Sequence, residues 1–223
     1  MRAFGALLRK DLRIELRRPE TVPAMALFSV TTLIVLHFGF QRARLEGDLA
    51  AGALLITVLF AAVLGINRLF VAEREEGGLD GFLLAPVDRT SLLFAKGTVL
   101  FSFLVVVQVV AVPAFGLLLL GPSLLPALPG LVAVLALVDL GLAIVGTLVG
   151  ALAVQTRARD LIVPIIGLPL LVPVLIAAAR ASTPLLLQAG PGSVPLKWMA
   201  VLALYDLVFG LIAFAVFDFL LED

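Results

Sequence analysis

Long apolar runs alternate with short polar clusters along this chain, and the runs set its architecture. Six of them reach the roughly 20 residues that a helix needs to cross a hydrocarbon core. They extend approximately from Val22 to Phe40, Leu49 to Val71, Gly97 to Leu120, Leu131 to Val154, Leu161 to Ala179 and Trp198 to Leu221. None alternates strictly between apolar and polar as a barrel strand does, and lipid offers no partner to unpaired backbone amides, so each run predicts a helix. The expected fold class is an all-α integral membrane protein with six transmembrane helices, built as one domain over residues 1–223.

Ahead of the first run, FGALLRKDLRIELRRPE places Phe4, Leu8, Leu12 and Leu16 at helical spacing with basic side chains between them. That pattern predicts an amphipathic helix within residues 1–21, lying in the interface with its lysine and arginine stems toward headgroups, and ended by Pro19. The run from Val22 is too long for the core of a secretion signal, and the following LHFGFQRAR has no small-residue cleavage pattern, so it is read as a span.

Composition agrees with that reading: 62 % of residues are hydrophobic, 14 % are charged and the mean hydropathy is +1.18. Charge distribution then predicts orientation. With the N-terminus inside, Arg2, Arg9, Lys10, Arg13, Arg17, Arg18, Arg68, Arg74, Arg89, Lys96, Arg157 and Arg159 fall on the cytoplasmic side. Only Arg42, Arg44, Arg180 and Lys197 fall outside, which predicts both termini in the cytoplasm. A formal net charge of zero argues against a nucleic-acid partner.

The residue inventory narrows the chemistry. The absence of cysteine removes disulfides, thiolate zinc sites and iron-sulfur clusters. The one histidine, His37, would need carboxylates or one of Met1, Met25 and Met199 to build a metal site, and its place near the end of a span suits an interfacial residue better. No P-loop occurs, and no nucleophile, base and oxyanion grouping is visible. The chain is therefore expected to have no catalytic residues, no metal site and no directly bound cofactor.

Polar groups inside the spans are costly, so each should face protein or water. Counted from the run boundaries, Asp139 and Asp206 each lie eight residues into their spans, at matching depths of about 12 Å from the outer face. Two readings stay open: a polar patch passed by substrate, protons or a partner, or structural groups that are protonated or hydrogen-bonded to Thr147, Gln108 or backbone. GTLVG, from Gly146 to Gly150, allows close approach of another helix. Pro164, Pro169 and Pro173 predict a bent or broken fifth span whose freed carbonyls face protein or a cavity.

The stretch AEREEGGLDGFLLAP, residues 72–86, leaves the second span on the predicted cytoplasmic side. After Gly77 and Gly78, the positions of Leu79, Phe82, Leu83 and Pro86 predict a short amphipathic helix with an acidic start. Such a helix suits docking into a groove on a soluble partner, or lying against the membrane.

KDLRIELRRPE, six spans and EREEGGLDGFLLAP together resemble the membrane subunit of an ABC-2-type transporter, and more closely the CcmB family, also called heme exporter protein B. NRLFVAEREEGGLDGFLLAPV, LAIVGTLVGALAVQTRARD and LPLLVPVLI carry the resemblance along nearly the whole chain. It implies an ABC-2-type permease architecture and a homodimer. It also implies a separate ATPase, CcmA, the membrane partners CcmC and CcmD, and a functional link to the heme chaperone CcmE. ATP would bind the partner subunit, and heme would be handled by partner proteins. The implied coupling loop spans residues 72–96, with contacts from Glu73, Arg74, Glu75, Glu76, Gly77, Leu79, Asp80, Phe82, Leu83, Leu84 and Pro86. Arg157 and Arg159 in QTRARD would add a second contact. The chain departs from the family at VDLG, residues 138–141, where a Gly-Thr-Pro-like turn is expected. Alternatives are an ABC-2 exporter for a lipid, polysaccharide or drug, and an ion-coupled secondary transporter using Asp139 and Asp206.

Overall fold

The structure, a computed structural model, describes residues 2–40, 44–70, 89–154 and 159–220. Among these residues it is helical, without strands. In chain order the helices are α1 (Arg2–Arg17), α2 (Thr21–Phe40), α3 (Gly47–Arg68), α4 (Arg89–Phe115), α5 (Leu124–Val154), α6 (Arg159–Ile162), α7 (Leu168–Ser182) and α8 (Leu196–Leu220). A π-helical turn, Gly116–Leu120, prolongs α4; another, Val163–Gly167, joins α6 to α7; a 3-10 turn, Thr183–Leu186, finishes α7. Six of the resulting stretches are long and apolar enough to cross a membrane. The all-α membrane fold read from the sequence is the fold observed.

Helices α3 and α5 form the centre, with α2, α4, α7 and α8 packed around them and α1 laid against α4. In lipid there is no hydrophobic drive to join apolar helices, so close packing by small side chains has to hold them. Buried Ala50, Ala51, Ala53, Ala61 and Ala62 supply it on α3. On α5, a Cβ at Gly146 would lie 2.6 Å from Ile66 Cγ1 and 2.9 Å from Leu100 Cδ2, and one at Gly150 would lie 3.1 Å from the Phe70 ring. The GTLVG face is therefore spent on α3 and α4 of the same chain.

Two helices begin earlier than the apolar runs suggest. Helix α4 starts at Arg89 and carries Lys96 inside it, because that ammonium finds partners within the protein. Helix α5 starts at Leu124 and includes Pro126 and Pro129; a proline in the first turn removes an amide that would have no intrahelical partner.

The fifth span is composite, as its prolines predict. Pro164 lies in the π turn, Pro169 at the second position of α7 and Pro173 inside it. Pro173 gives no amide to the carbonyl four residues back and loosens that turn. Leu170 O, one residue further on, accepts the Tyr205 hydroxyl of α8 at 2.6 Å. The Tyr205 hydroxyl thus ties α8 to the turn that Pro173 loosens.

Candidate functional site

Polar side chains gather at three levels of the bundle. At the α1 end, Lys96 is almost fully buried. Its Nζ donates to Leu69 O at 2.9 Å, stands 2.9 Å from Asp11 Oδ2 and lies 5.4 Å from the Phe70 ring centre. Charge and chain path make this position informative. One ammonium joins α1, the chain just after α3 and the first turns of α4, so it brackets residues 71–88 from both sides. Glu15 of α1 accepts the Val22 amide at 2.8 Å, satisfying one of the free donors at the start of α2. Asp11, Glu15, Thr21, Arg68 and Lys96 line a small polar cavity of about 90 Å³ there.

The sequence reading counted Lys96 only as an inner-face cation and gave Asp11 no role. A lysine followed directly by an apolar run is the signal that was available; its partner 85 residues earlier was not. The residues expected to contact an ATPase, Glu73, Arg74, Glu75, Glu76, Gly77, Leu79, Asp80, Phe82, Leu83, Leu84 and Pro86, lie outside the described residues, as does Arg157. Arg159 opens α6.

At the opposite end, backbone groups, amide and hydroxyl side chains and two carboxylates close the bundle. The Leu45 amide donates to Leu119 O at 2.7 Å, and Gln188 Nε2 donates to Leu45 O and Leu120 O at 3.2 and 3.0 Å. The Gln188 amide reaches Glu46 Oε2 at 3.2 Å, and the Thr183 hydroxyl reaches Asp48 Oδ1 at 2.8 Å. His37 Nδ1 contacts Leu118 O, so this nitrogen carries the proton and donates to the carbonyl. The contact places the ring against the end of the third span.

Between the two ends lie the buried carboxyl groups. Asp139 is the middle residue of α5, with fifteen helix residues on either side. It stands about 22 Å along the helix from Leu124 at 1.5 Å per residue, because α5 starts seven residues before the apolar run. Gln108 Nε2 donates to its Oδ1 at 2.7 Å, while Oδ2 has no partner among the described residues. Asp206, on α8, is buried with both oxygens unpartnered. A Cβ on Gly141 would sit 2.7 Å from Asp206 Oδ1 and 3.4 Å from a Val174 methyl.

The two carboxyls therefore share a level without forming a pair. Positions 139 and 141 are about 200° apart around a helix, so Asp139 faces α4 while Asp206 fills the glycine gap on the other side of α5. Of the partners the sequence offered to the two aspartates, Gln108, Thr147 or backbone, Asp139 meets Gln108. The Thr147 hydroxyl donates instead to Ala143 O at 2.7 Å.

Comparison with known proteins completes the picture. The model of the family described as "CcmB protein" matches residues 2–219. Heme exporter protein B of Bradyrhizobium diazoefficiens is 30% identical over 212 residues, covering 94% of both chains. Heme exporter protein B of Paracoccus denitrificans is 33% identical over 178 residues, 79% of this chain and 80% of the relative. The Pseudomonas aeruginosa protein of the same name is 30% identical over 204 residues, 89% of this chain and 88% of the relative. With a match that runs from the amphipathic α1 to the end of the sixth span, this chain belongs to the CcmB protein family.

Proposed function

We propose that the chain is the membrane permease subunit of a heme exporter complex that serves cytochrome c maturation. The observation that carries this reading is the family match over residues 2–219, joined to relatives named heme exporter protein B that align along most of their own length. In this reading a separate ATPase, CcmA, binds ATP and hydrolyses it, and this chain turns the stroke into a change of membrane helices. CcmC and CcmD are the membrane partners, and the result is release of heme-loaded CcmE. Heme is cargo handled by those partners, and no cofactor resides on this chain.

The protein lies in the bacterial cytoplasmic membrane as a homodimer, with both termini in the cytoplasm. The α1 end then faces the ATPase. Residues Glu73 to Pro86 dock on it, with Arg157 and Arg159 as a second contact. The Lys96 clasp supports this arrangement: its ammonium ties the chain just after α3, the start of α4 and Asp11 of α1 together, so a push on the segment between α3 and α4 would reach all three. The ion-coupled transporter has weaker support, because Asp139 and Asp206 sit on opposite sides of α5 and do not share a lane.

The test is co-purification of the full chain with CcmA in detergent. Replacing Leu83 and Leu84 by lysine should abolish retention of the ATPase while membrane insertion persists, and unchanged retention would sink the coupling assignment. With intact subunits and an ATPase that cannot hydrolyse ATP, heme-loaded CcmE should accumulate; its absence would remove the maturation role.

A further inference from the structure

Helix α1 sorts its charges by side. Arg9, Lys10, Arg13 and Arg17 are exposed, and at about 100° per residue they fall within an arc of roughly 100° around the helix. Asp11 and Glu15 fall on the opposite side, and both are engaged there: Asp11 stands 2.9 Å from Lys96 and Glu15 accepts the Val22 amide at 2.8 Å. Lys10, at the edge of the stripe, also stands 3.7 Å from Asp11. Among the described side chains of α1, every exposed charge is therefore basic. Read in order, the same residues mix acids with bases, as a solvated helix does; folding turns the acids inward and leaves a cationic stripe.

The two acids also fix the level of the helix. Lys96 is the last residue before the third apolar run, and Val22 is the second residue of α2. Asp11 and Glu15, one turn apart, thus hold α1 to the places where two spans enter the hydrocarbon, so this part of α1 lies at headgroup level. Leu16, 83 % exposed, and Ile14, 42 % exposed, stand on the two flanks of the stripe.

We propose that the outward face of α1 is a binding surface for anionic phospholipids, with headgroup phosphates on Arg9, Arg13 and Arg17 and acyl chains beside Leu16. Charge, level and flanks select this occupant together. A guanidinium meets phosphate oxygens through two parallel hydrogen bonds. A choline headgroup brings its own cation to its phosphate and gains less from the stripe, whereas a glycerol headgroup leaves the phosphate charge uncompensated. An acidic protein surface would satisfy the arginines, but exposed leucine and isoleucine at the flanks of a basic stripe at headgroup level suit acyl chains. The inference rests on the six-span fold and is independent of the ATPase reading.

The experiment uses the full chain in bilayer nanodiscs of phosphatidylcholine, in which brominated phosphatidylglycerol or brominated phosphatidylcholine replaces an increasing share of the lipid. Bromine on the acyl chains quenches a nearby tryptophan. Trp198 is the single tryptophan of the chain, so Leu16→Trp combined with Trp198→Phe reports the lipid beside the stripe. Leu27→Trp in the same background, on α2 where Leu27 is 70 % exposed, reports lipid away from it.

Both lipids should quench at Leu16→Trp, with phosphatidylglycerol favoured about fivefold, which is what one basic side chain at an anionic surface is worth. The preference should fall below about twofold in roughly 1 M salt, where the screening length is about 3 Å. At Leu27→Trp the two lipids should quench alike. Changing Arg9, Lys10, Arg13 and Arg17 together to glutamine should abolish the preference at Leu16→Trp while quenching by phosphatidylcholine persists. Changing Arg9, Arg13 and Arg17 to lysine should keep most of the preference, which separates loss of charge from loss of fold. Absence of quenching by either lipid would mean that the stripe faces water or a protein, and would overturn the proposal. Equal quenching by the two lipids at Leu16→Trp, or a preference that survives the glutamine changes, would overturn it as well.

Discussion

At the α1 end of the bundle a buried ammonium draws together α1, the chain after α3 and the start of α4. At the opposite end Gln188, Thr183 and the Leu45 amide tie three loops through ordinary hydrogen bonds to carbonyls and exposed carboxylates. The first joint includes a largely desolvated charge pair, Lys96 with Asp11, and removing either partner leaves the other with a contact fewer in that place. The second spreads its strength over several contacts, so that losing one leaves the rest in place. In the proposed coupling, the push from the ATPase would arrive at the first joint.

The largest effect should come from Lys96→Leu. Breaking a buried pair costs about 3–5 kcal/mol, so α1 should detach, and trypsin should cut at Arg17 and Arg18 in the purified protein far faster than in the parent. Adding Asp11→Leu should recover much of the loss, since it removes the stranded carboxylate; failure to recover would show that α1 is held by its apolar face instead. Next, Gly146→Val forces a side chain into Ile66 and Leu100 and should cost about 1–3 kcal/mol in thermal unfolding in detergent. If it loosened α1 as much as Lys96→Leu does, packing rather than charge would be the joint.

At the opposite end, Gln188→Ala removes two bonds to carbonyls and should cost about 1–2 kcal/mol, with α1 as resistant to trypsin as before. A rise in α1 cleavage would mean that the two ends are not independent. The smallest change expected is Thr183→Val, about 0.5 kcal/mol or less, because Asp48 is exposed and water replaces the hydroxyl.

Much of the site chemistry was legible in the chain, though unevenly. Gln108 could be named as a partner of Asp139 because few polar groups exist inside the spans. The prolines of the fifth span announced its broken helix, but not that Tyr205 would serve the Leu170 carbonyl. The start of α5 was not legible because hydropathy dips at Pro126 and Pro129, while the backbone continues helical through them.

The chain by itself determined the membrane as solvent, six spans, an amphipathic first helix and the family, since each follows from local runs of apolar side chains or from residues matched in order. Tertiary structure decided which side chains meet: Lys96 with Asp11, Asp206 with the gap at Gly141, and Asp139 with Gln108 of α4, on the side of α5 away from Asp206. Apolar runs show how far a helix extends but hardly how it is rotated, because in lipid both faces are apolar and periodicity carries little signal. Rotation is set by where glycines let helices touch, and it fixes which buried polar atoms find partners.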